Sequence, residues 1–404
     1  MPGWADTGGG RGGKVVRVTT LENTGPGSLR AAVETPGARI VVFEVGGIID
    51  LDRSTLAIRE PRLTIAGQTA PAPGITLIRG GVSVATHDVI IQHLRIRPGE
   101  AGSAPRSWEV DGLSTGGGAR DVIVDHCSLS WSTDENLSAS GPRFRGANPA
   151  QWRESASHRI TFSNNIISEG LANSVHPKGE HSKGTLVHDN VTEVLIVGNL
   201  YAHNAERNPL FKGGASGAVV NNLIYDPGPR AVHYNLIAEE WKGHPHESGA
   251  VLLVGNVLRA GPSTPSDVAL FTVGGSGDVA FTERDNIAVD RLGRPLPVLG
   301  RYTTAPLRMP ANSTPLPKGL RVLPAAEVQD DVIANAGARP WNRDAVDARI
   351  VADTIEGRGR IIDSERDVGG YPTDAPTRAT FDASRWDLEA VPVAPKAQAA
   401  GSSR

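Results

Sequence analysis

Short apolar runs recur along the middle of the chain, and each passes through a polar pair that an apolar residue usually follows. These runs are VIIQHLRI, VIVDHCSL, ITFSNNII, VLIVGNLY, AVVNNLIY, VLLVGNVL and FTERDNIAV. Their short length and β-branched composition indicate strands rather than helices. With the second residue of each pair as a marker, the shortest spacing runs from Asn199 to Asn222. That spacing predicts one solenoid coil per repeat, and the longer spacings predict a coil with an inserted loop.

The fold predicted from these repeats is all-β: a right-handed, single-stranded parallel β-helix with a mostly irregular C-terminal extension. A leucine-rich horseshoe is the rival solenoid, but its leucine spacing and helical segments are missing. A propeller would need four strands per blade. The polar markers predict a ladder of side chains stacked at one turn of successive coils. The markers are His93, His126, Asn165, Asn199, Asn222, Asn256 and Asn286.

The chain divides by composition into a solenoid and a C-terminal part. We expect residues 1–300 to form the β-helix domain and residues 301–394 to pack on it or cap it, since a solenoid end exposes its core. Residues 395–404 have the composition of a disordered tail. Helices are predicted at residues 27–34, with Ser28 as the N-cap, and at residues 342–356, where apolar residues recur with helical spacing.

Charge and composition narrow the class of ligand. The 404 residues include 41 Lys and Arg against 44 Asp and Glu, a net charge of −3. The chain as a whole is therefore not built to bind nucleic acid, and any cationic site is local. No apolar run approaches the roughly 20 residues of a membrane helix, so no membrane partner is expected. The single cysteine excludes an internal disulfide, and a capped solenoid needs no partner subunit, which predicts a monomer.

Three cations lie near the centre of the repeat region: Lys183, Arg207 and Lys212. For any single Lys or Arg, solvated surface charge is the ordinary alternative. Asp134 lies as far after its marker His126 as Arg207 lies after its marker Asn199. If the markers stack, these two side chains face the same side, two coils and roughly 10 Å apart. An acidic and a basic group placed this way would face one anionic sugar between them.

Asp125, Asp134 and Glu135 are candidate ligands for Ca²⁺, a hard cation that binds several oxygen atoms. The alternative is that Asp125 bonds the amides of a turn while the other two carboxylates are solvated. The segment contains no EF-hand pattern. Asp125 and His126 also suggest part of a catalytic triad, but no serine lies in a nucleophile-elbow setting.

Several stretches together resemble the pectate lyases of polysaccharide lyase family 1. They are GGRGGKVVRVTTLENTGPGSLRAAV with IVVFEVGGIIDL, then VIVDHCSLSWSTDE, HSKGTL, RNPLFKGG with VVNNLIYD, and the C-terminal AGARPWNRDAVDARIV. The resemblance implies a parallel β-helix enzyme that binds polygalacturonate and Ca²⁺ and cleaves the polymer by β-elimination. It also implies a secreted protein, although the N-terminus of this chain has no signal segment.

The resemblance also implies a calcium site. Asp125 matches the family's Asp-His pair, which supplies a calcium ligand, and Asp134 matches the first acid of the next calcium motif. The family usually has a second acid a few positions further on, where this chain has Ser138, and Glu135 would compensate. The absence of that acid puts the need for calcium in question.

The remaining roles fall on the cations. Lys183 matches the family's motif lysine, Arg207 matches the arginine that removes the proton, and Lys212 occupies a position usually held by arginine. All three are expected to contact the substrate. An arginine base is chemically demanding because a guanidinium is normally protonated. Dense positive charge would lower its pKa, which predicts an alkaline optimum.

Three other functions stay open at this point. A lyase for another polyuronate, such as alginate or a glucuronan, would use the same groups. A β-helix glycoside hydrolase needs two carboxylates flanking the scissile bond, and only Asp134 and Glu135 offer a close pair. A non-catalytic carbohydrate-binding solenoid would be expected to lack the three cations.

Overall fold

The protein is a solenoid whose chain turns repeatedly through three parallel sheets. The computed structural model describes residues 3–305, 309, 315–390 and 393–396. Each coil contributes one strand to a first, a second and a third sheet, in that order. Successive coils pair strand on strand in parallel, so the predicted all-β parallel β-helix is confirmed.

The three sheets are built from strands that recur once per coil. The first contains β1 (Lys14–Val18), β2 (Arg39–Phe43), β5 (Leu63–Ala66), β8 (His87–Gln92), β11 (Arg120–Asp125), β14 (His158–Ser163), β17 (Thr192–Val197), β20 (Ser216–Val220), β23 (Gly249–Val254) and β26 (Val279–Arg284). The second contains β3 (Val45–Asp50), β6 (Ile75–Ile78), β9 (Leu94–Arg97), β12 (Ser128–Ser130), β15 (Ile166–Ser168), β18 (Leu200–Ala202), β21 (Leu223–Tyr225), β24 (Val257–Arg259) and β27 (Ile287–Val289). The third contains β4 (Leu56–Ile58), β7 (Val82–Val84), β10 (Leu113–Thr115), β13 (Glu135–Ala139), β16 (Lys183–Val187), β19 (Leu210–Lys212), β22 (Val232–Leu236), β25 (Phe271–Gly275) and β28 (Leu299–Arg301).

The core lies inside the coils and consists of apolar columns. Val124 pairs with Phe162, Phe162 with Ile196, and Ile196 with Val219 on successive first-sheet strands. All four side chains are fully buried in the main hydrophobic cluster. Parallel in-register stacking places like positions above one another, so each coil covers the apolar surface of the next.

The predicted ladder forms at the turn between the first and second sheets. Asn165, Asn199, Asn222, Asn256 and Asn286 join in a chain, in which each backbone N–H and side-chain amide donates to the next asparagine Oδ1 at 2.8–3.0 Å. The marker alignment is one residue off at its N-terminal end. Cys127, not His126, donates its backbone N–H to Asn165, because Ser128 is the residue in register with Ile166.

In the described part of the chain, four α-helices lie outside the coils: α1 (Leu29–Val33), α2 (Pro149–Ser155), α3 (Ala325–Asn335) and α4 (Ala345–Glu356). The prediction of α1 is confirmed, and the Ser28 side chain accepts the cap hydrogen bond from Ala31 N. The predicted helix at 342–356 is confirmed as α4, although Ile355 at its end is 54% exposed. Helices α2 and α3 escaped the sequence analysis. Among the described residues, no helix has the length and apolar character to span a membrane.

The C-terminal extension packs along the second sheet. Apolar residues of α3 and α4 share a buried cluster with side chains of β15, β18, β21 and β24. Further along, β29 (Thr377–Arg378) pairs antiparallel with β3, and β30 (Trp386–Asp387) pairs with β31 (Ala394–Pro395). Residues 395–404 were predicted to be a disordered tail, but Pro395 lies in a strand pair. Residues 397–404 are outside the part of the chain that the structure describes.

A buried charge cluster holds α4 on the second sheet. Arg97 from β9 donates to Asp344 at 3.1 Å and to Asp347 at 2.8 Å, and its side chain is fully buried. Asp344 also caps α4 by accepting from Asp347 N. Burial alone would raise the pKa of Asp344, but the charge of Arg97 lowers it to about 2. The ionised carboxylate is therefore stabilised only in the folded protein.

We predict that Asp344→Asn lowers the free energy of unfolding by about 3–5 kcal/mol at neutral pH, because it leaves Arg97 partly uncompensated in the interior. Urea unfolding monitors the effect. The folded-state pKa of Asp344 is depressed, so its contribution is present above pH 4 and fades between roughly pH 4 and pH 2. The deficit of the variant shrinks over that window.

The matched control is Asp290→Asn, which breaks a surface pair with Arg294, whose side chain is 73% exposed. Exposed pairs contribute less than about 1 kcal/mol. Equal losses in the two variants would contradict the role assigned to the buried cluster.

Candidate active site

Two of the predicted cations, Lys183 and Arg207, and two of the predicted acids, Asp134 and Glu135, meet where the third-sheet strands begin. Glu135 is the first residue of β13 and pairs in register with Lys183, the first residue of β16. Lys183 in turn forms an isolated parallel bridge with Glu206 on the next coil. Arg207 follows directly, two coils from Asp134 and Glu135 as predicted, but the residue level with Glu135 is Glu206, so Asp134 and Arg207 do not share the predicted angle.

Arg207 occupies a strained position beside the acids. Its φ is 64°, in the left-handed region that non-glycine residues rarely adopt. Such strain is characteristic of functional sites. The guanidinium forms an ion pair with Glu135 and retains 23% side-chain exposure. Burial lowers the pKa of Arg207, against the opposing influence of the Asp134 and Asp111 charges. The largest cause of this shift is burial rather than the dense positive charge that the sequence analysis invoked.

The carboxylates next to Arg207 form a tight group. Oxygens of Asp111, Asp134 and Glu135 all lie within 4.8 Å of one another. Burial, and then the charge of Asp134, raise the pKa of Asp111 to about 7. Ser138 Oγ donates to Asp111 at 2.7 Å. Ser138, which stands where the family usually has an acid, therefore supports a different acid of the same group.

Asp111 is the functional residue that the sequence analysis missed. Leu113 pairs with Leu137 in the third sheet, so Asp111 lies one coil before Glu135 and at the same angle around the solenoid. A search for acids one coil before Glu135 would have found it. The signal was hidden because Asp111 lies 18 residues after its marker His93, whereas Glu135 lies 9 residues after His126, so an inserted loop breaks the spacing.

Two histidines fix Asp134. His181 Nε2 donates to Asp134 Oδ1 at 2.7 Å, and His176 stacks on His181 with ring centroids 3.8 Å apart. Burial alone would raise the pKa of Asp134, but the His181 hydrogen bond and the Arg207 charge hold it down at about 2. Asp134 is therefore ionised and oriented at neutral pH.

Lys183 shares a carboxylate with another arginine. Its Nζ lies 2.9 Å from Glu206, and Glu206 also forms an ion pair with Arg230 on the following coil. Neither Glu206 nor Arg230 was singled out from the sequence. Each predicted cation thus has a carboxylate partner within the protein, and an anionic ligand would compete with that partner.

Lys212 lies in a separate charge group. It forms ion pairs with Asp189, at 3.4 Å, and with Glu240. Arg143 reaches the same two carboxylates at 2.9 Å each. The charge of Glu240 also acts on Arg207 and favours its protonated form. Lys212 is therefore linked to the Arg207 centre through Glu240.

The structure does not bring Asp125 into the acidic group, which corrects the predicted set of Asp125, Asp134 and Glu135. Asp125 ends a first-sheet strand and is 1% exposed. Its oxygens accept from Ser163 at 2.7 Å, from Asn164 at 3.1 Å and from His126 Nδ1 at 2.8 Å. These donors satisfy the carboxylate at the turn, as the alternative interpretation expected. Asp111 takes its place beside Asp134 and Glu135.

The fold and site now allow comparison with known proteins. The chain is similar to probable pectate lyase C of Aspergillus flavus, with 32% identity over 369 residues, covering 90% of this chain and 78% of that protein. The corresponding protein of Neosartorya fischeri is also 32% identical, over 375 residues, covering 91% of this chain and 79% of that protein. A pectate lyase from Bacillus sp. N165, solved in complex with trigalacturonate, shares the fold with a TM-score of 0.52 at 15% identity. That alignment covers 83% of this chain and 98% of the other. No family model matches the chain.

The fold and the charged site define a β-helix polysaccharide lyase. The identity to curated relatives over nine-tenths of the chain is specific enough to say more. The protein belongs to the pectate lyase family, as the motifs indicated.

We predict that Asp111→Asn stabilises the metal-free protein at pH 8 by roughly 1–4 kcal/mol. The raised pKa of Asp111 means that the folded state loses stability as pH rises from about 4 through about 7, and the amide removes this penalty. Urea unfolding in excess chelator at pH 8 and pH 5 measures the change, which is smaller at pH 5.

Asp125→Asn is the control of opposite sign. Its three hydrogen bonds favour the ionised form, and its pKa is lowered despite burial. This variant is expected to lose about 1–3 kcal/mol. Destabilisation by Asp111→Asn at pH 8 would contradict the claim that the ionised Asp111 carboxylate destabilises the folded protein.

Proposed function

We propose that this protein cleaves polygalacturonate by calcium-assisted β-elimination to give unsaturated oligouronides. The observation that carries the proposal is the placement of Arg207 against the group of Asp111, Asp134 and Glu135, with Lys183 on the coil between. The acidic group can hold a cation, and the basic group can contact a uronate. One substrate lying across both groups would use both. The relatives' names and the trigalacturonate complex of the Bacillus enzyme support the choice of polymer.

The acidic group fits Ca²⁺. It offers three carboxylates, and the pKa of Asp111 is raised by burial and then by the neighbouring charge of Asp134, both of which a bound cation would offset. Hard cations with several oxygen ligands suit such a set. Asp111, Asp134 and Glu135 would hold the ion, and His181 would keep Asp134 in position. When bound, calcium supplies positive charge that stabilises the charge developing on the substrate carboxylate.

The protein's own residues then have distinct roles in the elimination. Arg207 takes the proton from C5 of the uronate, and the released electrons form the C4–C5 double bond. The C4–O bond breaks with its electron pair on the oxygen, which takes a proton from water to become the new hydroxyl end. Burial lowers the pKa of Arg207 in the direction that a base requires. Lys183, with Lys212 further along the coil, binds substrate carboxylates and stabilises the enediolate-like charge that develops beside C5.

Glu135 couples the two halves of the site. It belongs to the acidic group and also forms the ion pair with Arg207. That ion pair favours the protonated guanidinium, so Arg207 becomes a better base when Glu135 is engaged elsewhere. Arg207 is thus expected to stay protonated, and the site inactive, until substrate and cation occupy the site together.

Polygalacturonate is a polymer of plant cell walls, so we propose that the enzyme acts outside the cell, and as a monomer. A lyase for another polyuronate would use the same Arg207 centre. The loops that select the sugar decide between them, and activity assays on alginate and glucuronan separate these substrates.

The direct test is the ultraviolet absorbance of the C4–C5 unsaturated product from polygalacturonate at alkaline pH, with Ca²⁺ and then with excess chelator. We expect a rise that the chelator abolishes, because the acidic group then loses its cation. A rise that survives chelation would discard the calcium assignment. New reducing ends without absorbance would point to hydrolysis and overturn the elimination.

We predict that Arg207→Ala lowers kcat by about 10²–10⁴-fold, the usual contribution of a positioned base. Arg291→Ala, which removes an exposed arginine far along the chain, is the matched control and leaves kcat unchanged. Folding of both variants is checked by urea unfolding. A wild-type rate in Arg207→Ala would remove this residue from the mechanism.

The pH profile gives an independent test of the same assignment. Below its pKa, the neutral fraction of Arg207 rises tenfold per pH unit, so kcat increases toward alkaline pH. Arg207→Lys moves the rising limb to lower pH, since an amine is less basic than a guanidinium. A wild-type optimum below neutral pH would contradict Arg207 as the base.

A further inference from the structure

A second cavity lies at the corner of the solenoid where the first sheet turns into the second. Its volume is about 460 Å³, within the usual range for small-molecule sites. Three successive coils and the C-terminal extension form its walls. The lining residues used below are Gln68, Gln92, His93, His126, Trp341 and Trp386. None of them belongs to the Arg207 centre, which lies at the start of the third sheet.

Aromatic rings form one side of this corner cavity. Trp341 is 58% exposed, although it is one of the largest apolar side chains of the protein. His93 lies beside it with ring centroids 5.2 Å apart, and His93 stacks on His126 at 5.0 Å. Trp386 of the extension completes the wall. Exposed tryptophan beside stacked rings offers a flat surface for the C–H face of a sugar ring.

The cavity wall presents several hydrogen-bond acceptors, while Gln92 contributes an amide donor because its Oε1 accepts from Gln68. Gln68 is 6% exposed, and its Nε2 donates to the Val393 carbonyl at 2.8 Å, which fixes the orientation of the amide. Gln68 Oε1 is left buried with no partner among the described residues. Buried acceptors without a partner are rare and costly. A ligand with hydroxyl donors would satisfy this oxygen.

His93 and His126 also present hydrogen-bond acceptors, because the Nδ1 atom of each is already bonded to another group of the protein. His93 Nδ1 lies 2.7 Å from the Ala338 carbonyl, so Nδ1 carries the proton and Nε2 keeps its lone pair. Burial lowers the pKa of His93 to about 4, which keeps the ring neutral. His126 Nδ1 donates to Asp125 at 2.8 Å, which leaves Nε2 of the neutral ring as an acceptor.

The charge of the corner cavity excludes an acidic sugar. Asp125 lines it and has a lowered pKa, whereas no Lys or Arg is among the lining residues. Arg339 lies over the Trp341 ring, is 7% exposed and donates to the Ala70 carbonyl. A uronate carboxylate would meet acceptors and a negative charge.

We propose that this corner cavity binds a neutral saccharide residue, stacked on Trp341 and donating hydroxyl hydrogen bonds to Gln68, His93 and His126. The site is separate from the polygalacturonate site and has the opposite charge preference. It would hold a neutral sugar of the polysaccharide that carries the substrate, and it requires no chemical step.

The test is direct binding to the full chain in excess chelator, by saturation-transfer NMR and titration calorimetry. Galactobiose, arabinobiose and cellobiose are the neutral probes, digalacturonate is the acidic probe and indole is the apolar probe. We expect at least one neutral disaccharide to bind. Trp341→Ala is expected to weaken that binding by roughly tenfold or more. Trp341→Phe retains most of it because the flat ring remains.

Two further variants locate the contacts. Gln68→Leu keeps the side-chain volume, removes the free acceptor and is expected to weaken sugar binding by about three- to tenfold. Ile355→Ala removes another exposed apolar side chain of the extension, outside the cavity, and leaves binding unchanged. The rate on polygalacturonate stays at the wild-type value in Trp341→Ala, so a failure of this proposal is distinct from a failure of the lyase.

Three results would overturn the proposal. The first is digalacturonate binding that Trp341→Ala weakens as much as it weakens binding of the neutral sugar. The second is indole binding with no sugar binding, which would mark a merely apolar cavity. The third is no binding by any probe in a folded protein.

Discussion

The stacking register of the coils is the constraint on which every functional position depends. At the corner between the first and second sheets, the asparagine ladder from Asn165 to Asn286 ties each coil to the next through both backbone and side-chain amides. A one-residue slip would bury unpaired amides, which is costly in the interior. Residues far apart in sequence therefore meet at fixed heights, and this register places Glu135 beneath Lys183.

The arrangement of charged groups in the active site destabilises the folded protein. Asp111, Asp134 and Glu135 crowd together, and Arg207 has an unfavourable backbone conformation beside them. The cations are partly neutralised by carboxylates of the protein, Glu206 for Lys183 and Glu240 for Lys212. These internal ion pairs stabilise the folded chain when no ligand is bound. A substrate carboxylate has to replace the protein carboxylate in each pair that it enters. The long apolar columns of the solenoid and the buried Arg97 cluster that holds α4 supply the stability that offsets the unfavourable charges of the site.

The sequence predicted the repeating elements well because the signal is local: apolar strands, polar turns and a spacing of one coil. The site was harder. Asp125 and His126 together have the chemistry of a functional pair. However, Asp125 lies at the corner between the first and second sheets, where Ser163 and Asn164 donate hydrogen bonds to it. Asp111 has no such conspicuous neighbour, and only the pairing of Leu113 with Leu137 places it beside Asp134. Helix α3 was missed because only Ala325, Val328 and Val332 of its residues are buried, too few to stand out.

The central claim is that the acidic group of the third sheet, not the Asp125 corner, holds the cation that assists elimination. The most direct measurement is a calcium titration of the initial rate of unsaturated-uronide formation in Asp111→Ala and Asp125→Ala. We predict that Asp111→Ala needs at least about tenfold more calcium for half-maximal rate, the range seen when support for a metal site is lost. Asp125→Ala, once shown to be folded, keeps the wild-type midpoint. A shifted midpoint in Asp125→Ala with an unchanged one in Asp111→Ala would contradict the assignment.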